Sequence, residues 1–368
     1  MKDEYPSGKA DLMTAFMLKS QALTKLNGSW GMINLPSWMS LKSFERLRQD
    51  LLRDQRLVSM VHLGRGVFGS DFGSVAFVVT NARSSGGRAI YRRLFDQHVD
   101  VRSVAAIEAL FHDRDYNCFE VAQSDFAAIP GSPIVYWLSE KMRIAFARAG
   151  SGTSLGAACG IAKGITTGDN GRFLRLWWEV SRDQSEFDRD PDFTMPTRTW
   201  HAADKGGDFR RWFGNNYWVI YWPDDGRDII NFAGSTPRNV HTRFQPSIAC
   251  TKISSGGISF RAHDRGFVFT DASVAATCAG DLDSVLGFVN SSTADHMMAA
   301  LAPTLNFEVG QIRSLPWLVD HHGEERLAHT VTQLKNNSAT DWNASEVSWD
   351  FESNPLVALA RESVRAPI

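Results

Sequence analysis

The first stretch that could do chemistry is Gly64-Arg65-Gly66-Val67-Phe68-Gly69, which has the spacing of a phosphate-binding turn. A dinucleotide-binding turn must open a helix whose N-terminus holds the pyrophosphate, with an acid about 20 residues on. Here the loop leads into an apolar run at 75–79, and the acid is absent. A kinase glycine loop does sit between strands, and Asp71-Phe72-Gly73 spells D-F-G. Yet Val78 stands where the kinase lysine belongs, and D-F-G follows the loop almost at once. The turn is therefore read as a tight connection, with its glycines there for steric reasons. His321-His322-Gly323-Glu324-Glu325 fits no metalloprotease order and is read as a solvated polar linker, so no metal is expected. No G-x-S-x-G, P-loop or zinc-deaminase signature occurs.

Bases interleaved with aromatics carry more information. Residues 141–182 hold seven bases (Lys141, Arg143, Arg148, Lys163, Arg172, Arg175, Arg182) against two acids, Asp169 and Glu179. Residues 201–265 hold nine bases and six acids, while the stretch between, 183–204, reverses to six acids and two bases. Two basic segments flanking an acidic loop suit one phosphate-tracking face; scattered surface cations are the plain alternative. Phe173, Trp177, Trp178, Phe209, Trp212 and Phe213 lie among these bases, and most such rings belong in a core. The whole chain, 368 residues with 39 Lys+Arg and 41 Asp+Glu, nets −2, so the total charge names no nucleic-acid partner. Cys118, Cys159, Cys250 and Cys278 lie far apart without zinc-site spacing. Buried free thiols are expected rather than a disulfide scaffold. The polar N-terminus lacks a signal-peptide core, and no apolar run nears the ~18 residues of a membrane span. A cytoplasmic protein is expected, with no membrane partner.

The elements that must position these groups follow from periodicity. Leu12, Ala15, Phe16, Leu18, Ala22 and Leu23 predict a helix over 9–25, stopped by Asn27-Gly28. A buried strand is predicted over 30–35. Ser40 is expected to cap a second helix, with Leu41, Phe44, Leu47, Leu51 and Leu52 on one side. Two β-rich runs follow, 57–63 and 74–80. This order is that of the second half of a doubly wound α/β sheet, begun on a helix with its first half missing. A helix is predicted near 101–110, and Ile129-Pro130-Gly131-Ser132-Pro133 reads as a boundary. Beyond a helix over 136–149, glycines, aromatics and short β-like runs (166–171, 205–214, 218–222, 254–260, 266–270) suit an α+β domain. Residues 320–364 then turn acidic, with eight acids and three bases. The expected division is 1–130, 131–318 and 319–368.

Several unusual strings add a resemblance. Lys9-x-Asp11-Leu12-Met13-x-Ala15-Phe16, then 31–39 (Gly31-Met32-Ile33-Asn34-Leu35-Pro36-Ser37-Trp38-Met39) and Phe44-Glu45-x-Leu47-Arg48 resemble the stretch after the catalytic motif of adenine-N6 DNA methyltransferases. Gly168-Asp169-Asn170-x-Arg172-Phe173-Leu174-Arg175, Lys205-Gly206-Gly207-x-Phe209-Arg210-x-Trp212, Lys252-Ile253-Ser254-Ser255-Gly256 and Ile258-Ser259-Phe260-Arg261 resemble the target-recognition half. So do Asp341-Trp342-Asn343 and Ser348-Trp349-Asp350-Phe351. Together they resemble the PglX family of BREX phage-defence systems and, more loosely, large single-chain restriction–modification enzymes. The likeness covers nearly the whole chain.

The resemblance implies methyl transfer from S-adenosylmethionine to the exocyclic amine of an adenine flipped from duplex DNA. In the family an Asn-Pro-Pro-Tyr/Phe turn holds that amine, and an aromatic between the last two strands meets the base. Phe68 is the best match for that aromatic and Phe72 the second. The resemblance also makes Lys163, Asn170, Arg172, Arg175, Lys205, Arg210, Arg211, Lys252 and Arg261 the expected DNA contacts. The pattern then breaks off: the F-x-G-x-G cofactor loop and Asn-Pro-Pro-Tyr are both absent, and Asn354-Pro355-Leu356-Val357 has the wrong residues. The expectation is the C-terminal portion of such an enzyme. It would neither bind S-adenosylmethionine nor methylate alone, and its partners would be double-stranded DNA, a separately encoded N-terminal methyltransferase half and other phage-defence proteins. The alternatives are a stand-alone DNA-binding specificity subunit, or an inactive truncated fragment with an open sheet edge.

Overall fold

The computed structural model describes residues 4–69, 72–84, 86–96, 101–150, 152–188, 198–239, 242–302, 306–317 and 321–365. The chain is mixed α/β and divides into two units, Met1–Ser151 and Gly152–Ile368.

The first unit is built on strands β1 (Ser29–Asn34), β2 (Arg56–Arg65), β3 (Gly73–Thr80), β4 (Arg88–Arg93) and β5 (Cys118–Ala122). They pair in the order β1-β3-β2-β4-β5, with β2 and β4 parallel and the other pairs antiparallel. Because side chains alternate along a strand, Trp30, Leu57, Met60, Val75, Phe77, Val79, Tyr91 and Val121 share a buried core. The helices Leu12–Leu23 and Glu45–Asp54 contribute Met17, Leu47 and Leu51 to it. On the other face Ile33, Val78 and Ile90 stay exposed.

Two expectations fail in this unit. Ser40 does not cap the second helix; a 3-10 turn, Lys42–Phe44, intervenes, and Phe44 holds the cap position without a side-chain bond. The expected break after residue 130 falls inside the unit. Arg48, buried in the helix Glu45–Asp54, donates to the carbonyls of Gly131 (2.7 Å), Ser132 (3.1 Å), Trp38 (2.9 Å) and Leu41 (2.7 Å). Ile134 and Tyr136 enter the same core. Prolines and a glycine mark a turn there, but the bonds from its Gly131 and Ser132 carbonyls to the Arg48 guanidinium fold that turn back.

Among the described residues the second unit has two sheets. Strands β7 (Leu174–Leu176), β8 (Ser185–Glu186), β9 (Trp200–Asp204), β10 (Trp218–Tyr221) and β13 (Val268–Phe269) form one, ordered β13-β9-β10-β7 with β8 on β9. Strands β6 (Cys159–Lys163), β11 (Ser247–Thr251), β12 (Phe260–His263) and β14 (Ser273–Cys278) form the other, ordered β12-β11-β14-β6. Ala203, Ile220, Leu174 and Val268 face one core, while Ala202, Ala249, Phe269 and Ala275 face another. The β-like run at 254–260 is loop almost to its end, with Gly257 at φ +91°.

The cysteine expectation is corrected here as well. Antiparallel pairing of β14 with β6 sets Cys278 opposite Cys159, and the two are joined as a disulfide across 119 residues of sequence. Cys250 is a buried free thiol, and Cys118 is free but exposed. Residues 321–325 open a long helix, His321–Asn343, rather than a linker. That helix approaches the helix Leu282–Val289 closely: a Cβ on Gly287 would meet Leu327 and Val331 at 2.7 Å. Among the described residues no cluster suits a metal ion, and no helix is long and apolar enough to cross a membrane.

Candidate nucleic-acid interface

The segment from Lys205 to Tyr217 meets Gly256, Phe260 and Trp342, one residue from each of three other strings quoted above. Its start is set by Asp204, a buried carboxylate that accepts from the Gly206 amide (2.6 Å) and the Ser273 hydroxyl, and pairs with Arg261 (3.3 Å) and His263 (2.7 Å). Burial alone would push this carboxyl up. The Arg261 charge and the bonds from His263 and Ser273 outweigh it and hold Asp204 well below the usual carboxylate range. Gly206 (φ +73°) and Gly207 (φ +135°) then turn the chain against Thr251, whose hydroxyl donates to the Gly207 carbonyl at 3.0 Å. Phe209 packs on Gly256, where a Cβ would lie 2.8 Å from the ring's own Cβ.

Trp212 holds φ +75°, a left-handed conformation that bulky residues rarely adopt. Two backbone bonds enforce it: Trp212 N–H to Phe260 O (2.9 Å) and Ala262 N–H to Trp212 O (2.8 Å). The Ser338 hydroxyl, on the helix His321–Asn343, donates to the carbonyls of Arg211 and Phe213 at 3.2 Å each. Strain kept by such surroundings marks a segment whose shape is specified.

The expected DNA contacts divide by environment. Lys205 lies with its ammonium 3.8 Å from the Trp218 ring centre. Arg210 sits over Trp342 at 5.1 Å and donates to Asp341 through both terminal nitrogens at 3.1 Å. Arg211 pairs with Asp295, Lys252 with Glu308 (3.4 Å) and Lys163 with Asp271 (3.9 Å). Arg172 lies over Phe173 and Phe232, and Arg175 over Trp200, with no ion pair among the described residues. Asn170 is exposed at the first turn of the short helix Asn170–Phe173, its side-chain oxygen accepting from Thr167 at 2.7 Å. Arg261 is the exception. Its side chain is 0% exposed and bound to Asp204, so it braces the core instead of reaching a surface ligand.

Register shows which of these come together. Leu176 opposes Trp218, and Trp218 opposes Ala203, so β7, β10 and β9 bring Trp177–Trp178, Tyr217 and Lys205 to one end of the sheet. Arg172 belongs to the opposite end, and Arg175 shares a face with Val219 and Ala202. At the first end the rings run on from one another: Trp178 to Tyr217 at 6.4 Å, Tyr217 to Trp342 at 5.0 Å, then Arg210 over Trp342. Sequence reasoning passed over Trp178 and Tyr217 because aromatics default to the core. The signal available was a Trp-Trp pair closing a basic run.

In the first unit Phe68 (66% exposed) and Phe72 (70% exposed) stand on the connection between β2 and β3. The glycines there are steric. Gly66 has φ +108°, and a Cβ on it would lie 2.0 Å from the Arg102 carbonyl oxygen. Arg102 in turn donates to the carbonyls of Leu63 and Leu94. At Gly66 the space is filled by the Arg102 backbone, whereas Gly69 faces open space.

Comparison with known proteins adds likenesses in sequence and in fold. Residues 1–68 match the Eco57I restriction-modification methylase family. The chain is 33% identical over 376 residues to the adenine-specific methyltransferase PglX of Lacticaseibacillus casei (strain Zhang), covering 98% of this chain and 31% of that protein. It is 32% identical over 366 residues to the adenine-specific methyltransferase BrxX of Escherichia coli O9:H4 (strain HS), covering 97% and 29%. The chain is similar in sequence to part of the PglX-type adenine-specific methyltransferases. It spans about a third of the length of these relatives. Among solved structures, the Type IIL restriction-modification enzyme MmeI in complex with DNA superposes with a TM-score of 0.51 at 9% identity, over 93% of this chain and 46% of that one. That likeness is one of fold.

Proposed function

We propose that this chain is the DNA-recognition portion of an adenine-N6 methyltransferase of the PglX type, and that its first unit supplies the distal half of the catalytic sheet. The observation that carries the reading is its 33% identity to such an enzyme along 98% of the chain. The second unit supports it with cations seated over aromatic rings, a pairing suited to phosphate and base. Lys205, Arg172 and Arg175 would meet the DNA backbone, with Asn170 beside Arg172. Phe68 would stack on the flipped adenine, with Phe72 as the second choice. When bound, S-adenosylmethionine would supply the methyl group. At Gly66 the best sequence candidate for a nucleotide turn is filled by the Arg102 carbonyl, so that turn does not fit the cofactor.

The test mixes this chain with a polypeptide carrying the family's cofactor loop and Asn-Pro-Pro-Tyr turn, and measures transfer of labelled methyl to adenine in duplex DNA. Either piece alone should be inactive and the pair active. Phe68→Ala should lower the pair's rate about tenfold, the ordinary worth of a base–aromatic stack. A folded, co-purifying pair without activity would refute the proposal.

A further inference from the structure

We infer that Trp178 contacts an unstacked nucleobase, at an aromatic platform of Trp178 and Tyr217 with Arg210 over the adjoining Trp342; the inference rests on the DNA-binding reading above. Trp178 is 47% exposed, although a tryptophan contributes most to stability when buried. Its exposure is not looseness, because the turn that presents it is fixed at three points. The Trp177 amide donates to Tyr217 O (2.9 Å), the Trp177 indole to Val347 O (2.8 Å), and the Leu176 amide to the Glu179 carboxylate (2.8 Å). The neighbouring rings meet Trp178 near right angles, Trp177 at 85° and Tyr217 at 88°, so neither lies flat upon it.

An isolated exposed apolar side chain needs no explanation. This one has cationic company. Tyr217 links it to Trp342, over which Arg210 lies, and Lys205, over Trp218, stands at the same end of the sheet. Two acids there are engaged: Glu179 caps its own turn and Asp341 pairs with Arg210. A rigid aromatic face beside cations is what a single unpaired base and its flanking phosphates require. The phosphates supply charge complementarity, and the ring accepts any base's π-face.

The test uses the full chain and two labelled duplexes, one fully paired and one with a single unpaired adenine. Affinity is measured by fluorescence anisotropy across a salt series. Trp178→Ala should weaken binding of the duplex with the unpaired base about tenfold, and Trp178→Phe should restore most of it. The slope of log affinity against log salt should stay unchanged in both, since no charge is removed. Lys205→Ala should instead flatten that slope by about 1. Unchanged circular dichroism and melting of the Trp178 variants would show that they fold. If the wild-type chain binds and Trp178→Ala binds both duplexes equally well, the inference fails while the DNA-binding reading stands. If the wild-type chain binds neither duplex, that reading falls and the inference with it.

Discussion

Arg261 and Asp204 show what a residue's type hides. In sequence Arg261 follows Ile-Ser-Phe as one more base in a basic stretch, and nothing separates it from Arg210. Folding separates them: Arg210 keeps part of its guanidinium in solvent, whereas Arg261 is sealed against Asp204. The consequence is testable by acid. Asp204 is held below the usual carboxylate range when folded and titrates near 3.9 when unfolded. Its ionised form therefore stabilises the fold fully above that unfolded value, and the contribution fades as pH falls below it. Asp204→Asn should cost about 3–5 kcal/mol near neutral pH, because Arg261 is left buried without its counter-charge. The melting-temperature gap between wild type and variant should be level above about pH 5 and shrink below about pH 4. A gap that grows on acidification would contradict this assignment.

At the scale of elements, periodicity located the helix Leu12–Leu23 and strands β1, β2 and β3 to within a few residues. Their signals are local: apolar residues at helical spacing, an Asn-Gly stop and short β-rich runs. What escaped were features made by pairing across long sequence distances. The Cys159–Cys278 bond depends on β6 lying beside β14, which no spacing rule conveys. The helix from His321 was hidden by its polar start, since its anchoring partners, Val331 and Leu327 against Gly287, come later. The boundary after residue 130 failed for the same reason: Arg48 lies 83 residues from Gly131, to which it bonds. Burial pushes the Arg48 guanidinium down to about 10, so at neutral pH it remains charged and needs those carbonyls. A chain ending at 130 should therefore lack cooperative unfolding, whereas one ending at 151 should melt in a single transition. Equal melting of the two would show that residues 131–151 do not belong to the first unit.

For the whole molecule, a net charge of −2 excludes strong global attraction to nucleic acid. Any DNA affinity must come from a local group of cations. Of the nine expected contacts, Arg261 is buried, while Arg210, Arg211, Lys252 and Lys163 are engaged by carboxylates. Asn170 carries no charge. Arg172, Arg175 and Lys205 remain without an acidic partner among the described residues. Each neutralised phosphate contributes roughly −0.9 to the slope of log affinity against log salt. Three contacts predict a slope of about −3 for duplex DNA, far shallower than that of a wholly basic binding domain. A slope near zero would remove the phosphate contacts altogether. A slope of about −5 would mean that phosphate displaces Asp341, Asp295 and Glu308 from their bases, since exposed ion pairs are worth only about 0–1 kcal/mol. Titrating S-adenosylmethionine into the same sample then separates a stand-alone DNA-binding subunit from part of a methyltransferase: both should be silent alone, and only the latter should bind the cofactor once the complementary polypeptide is added.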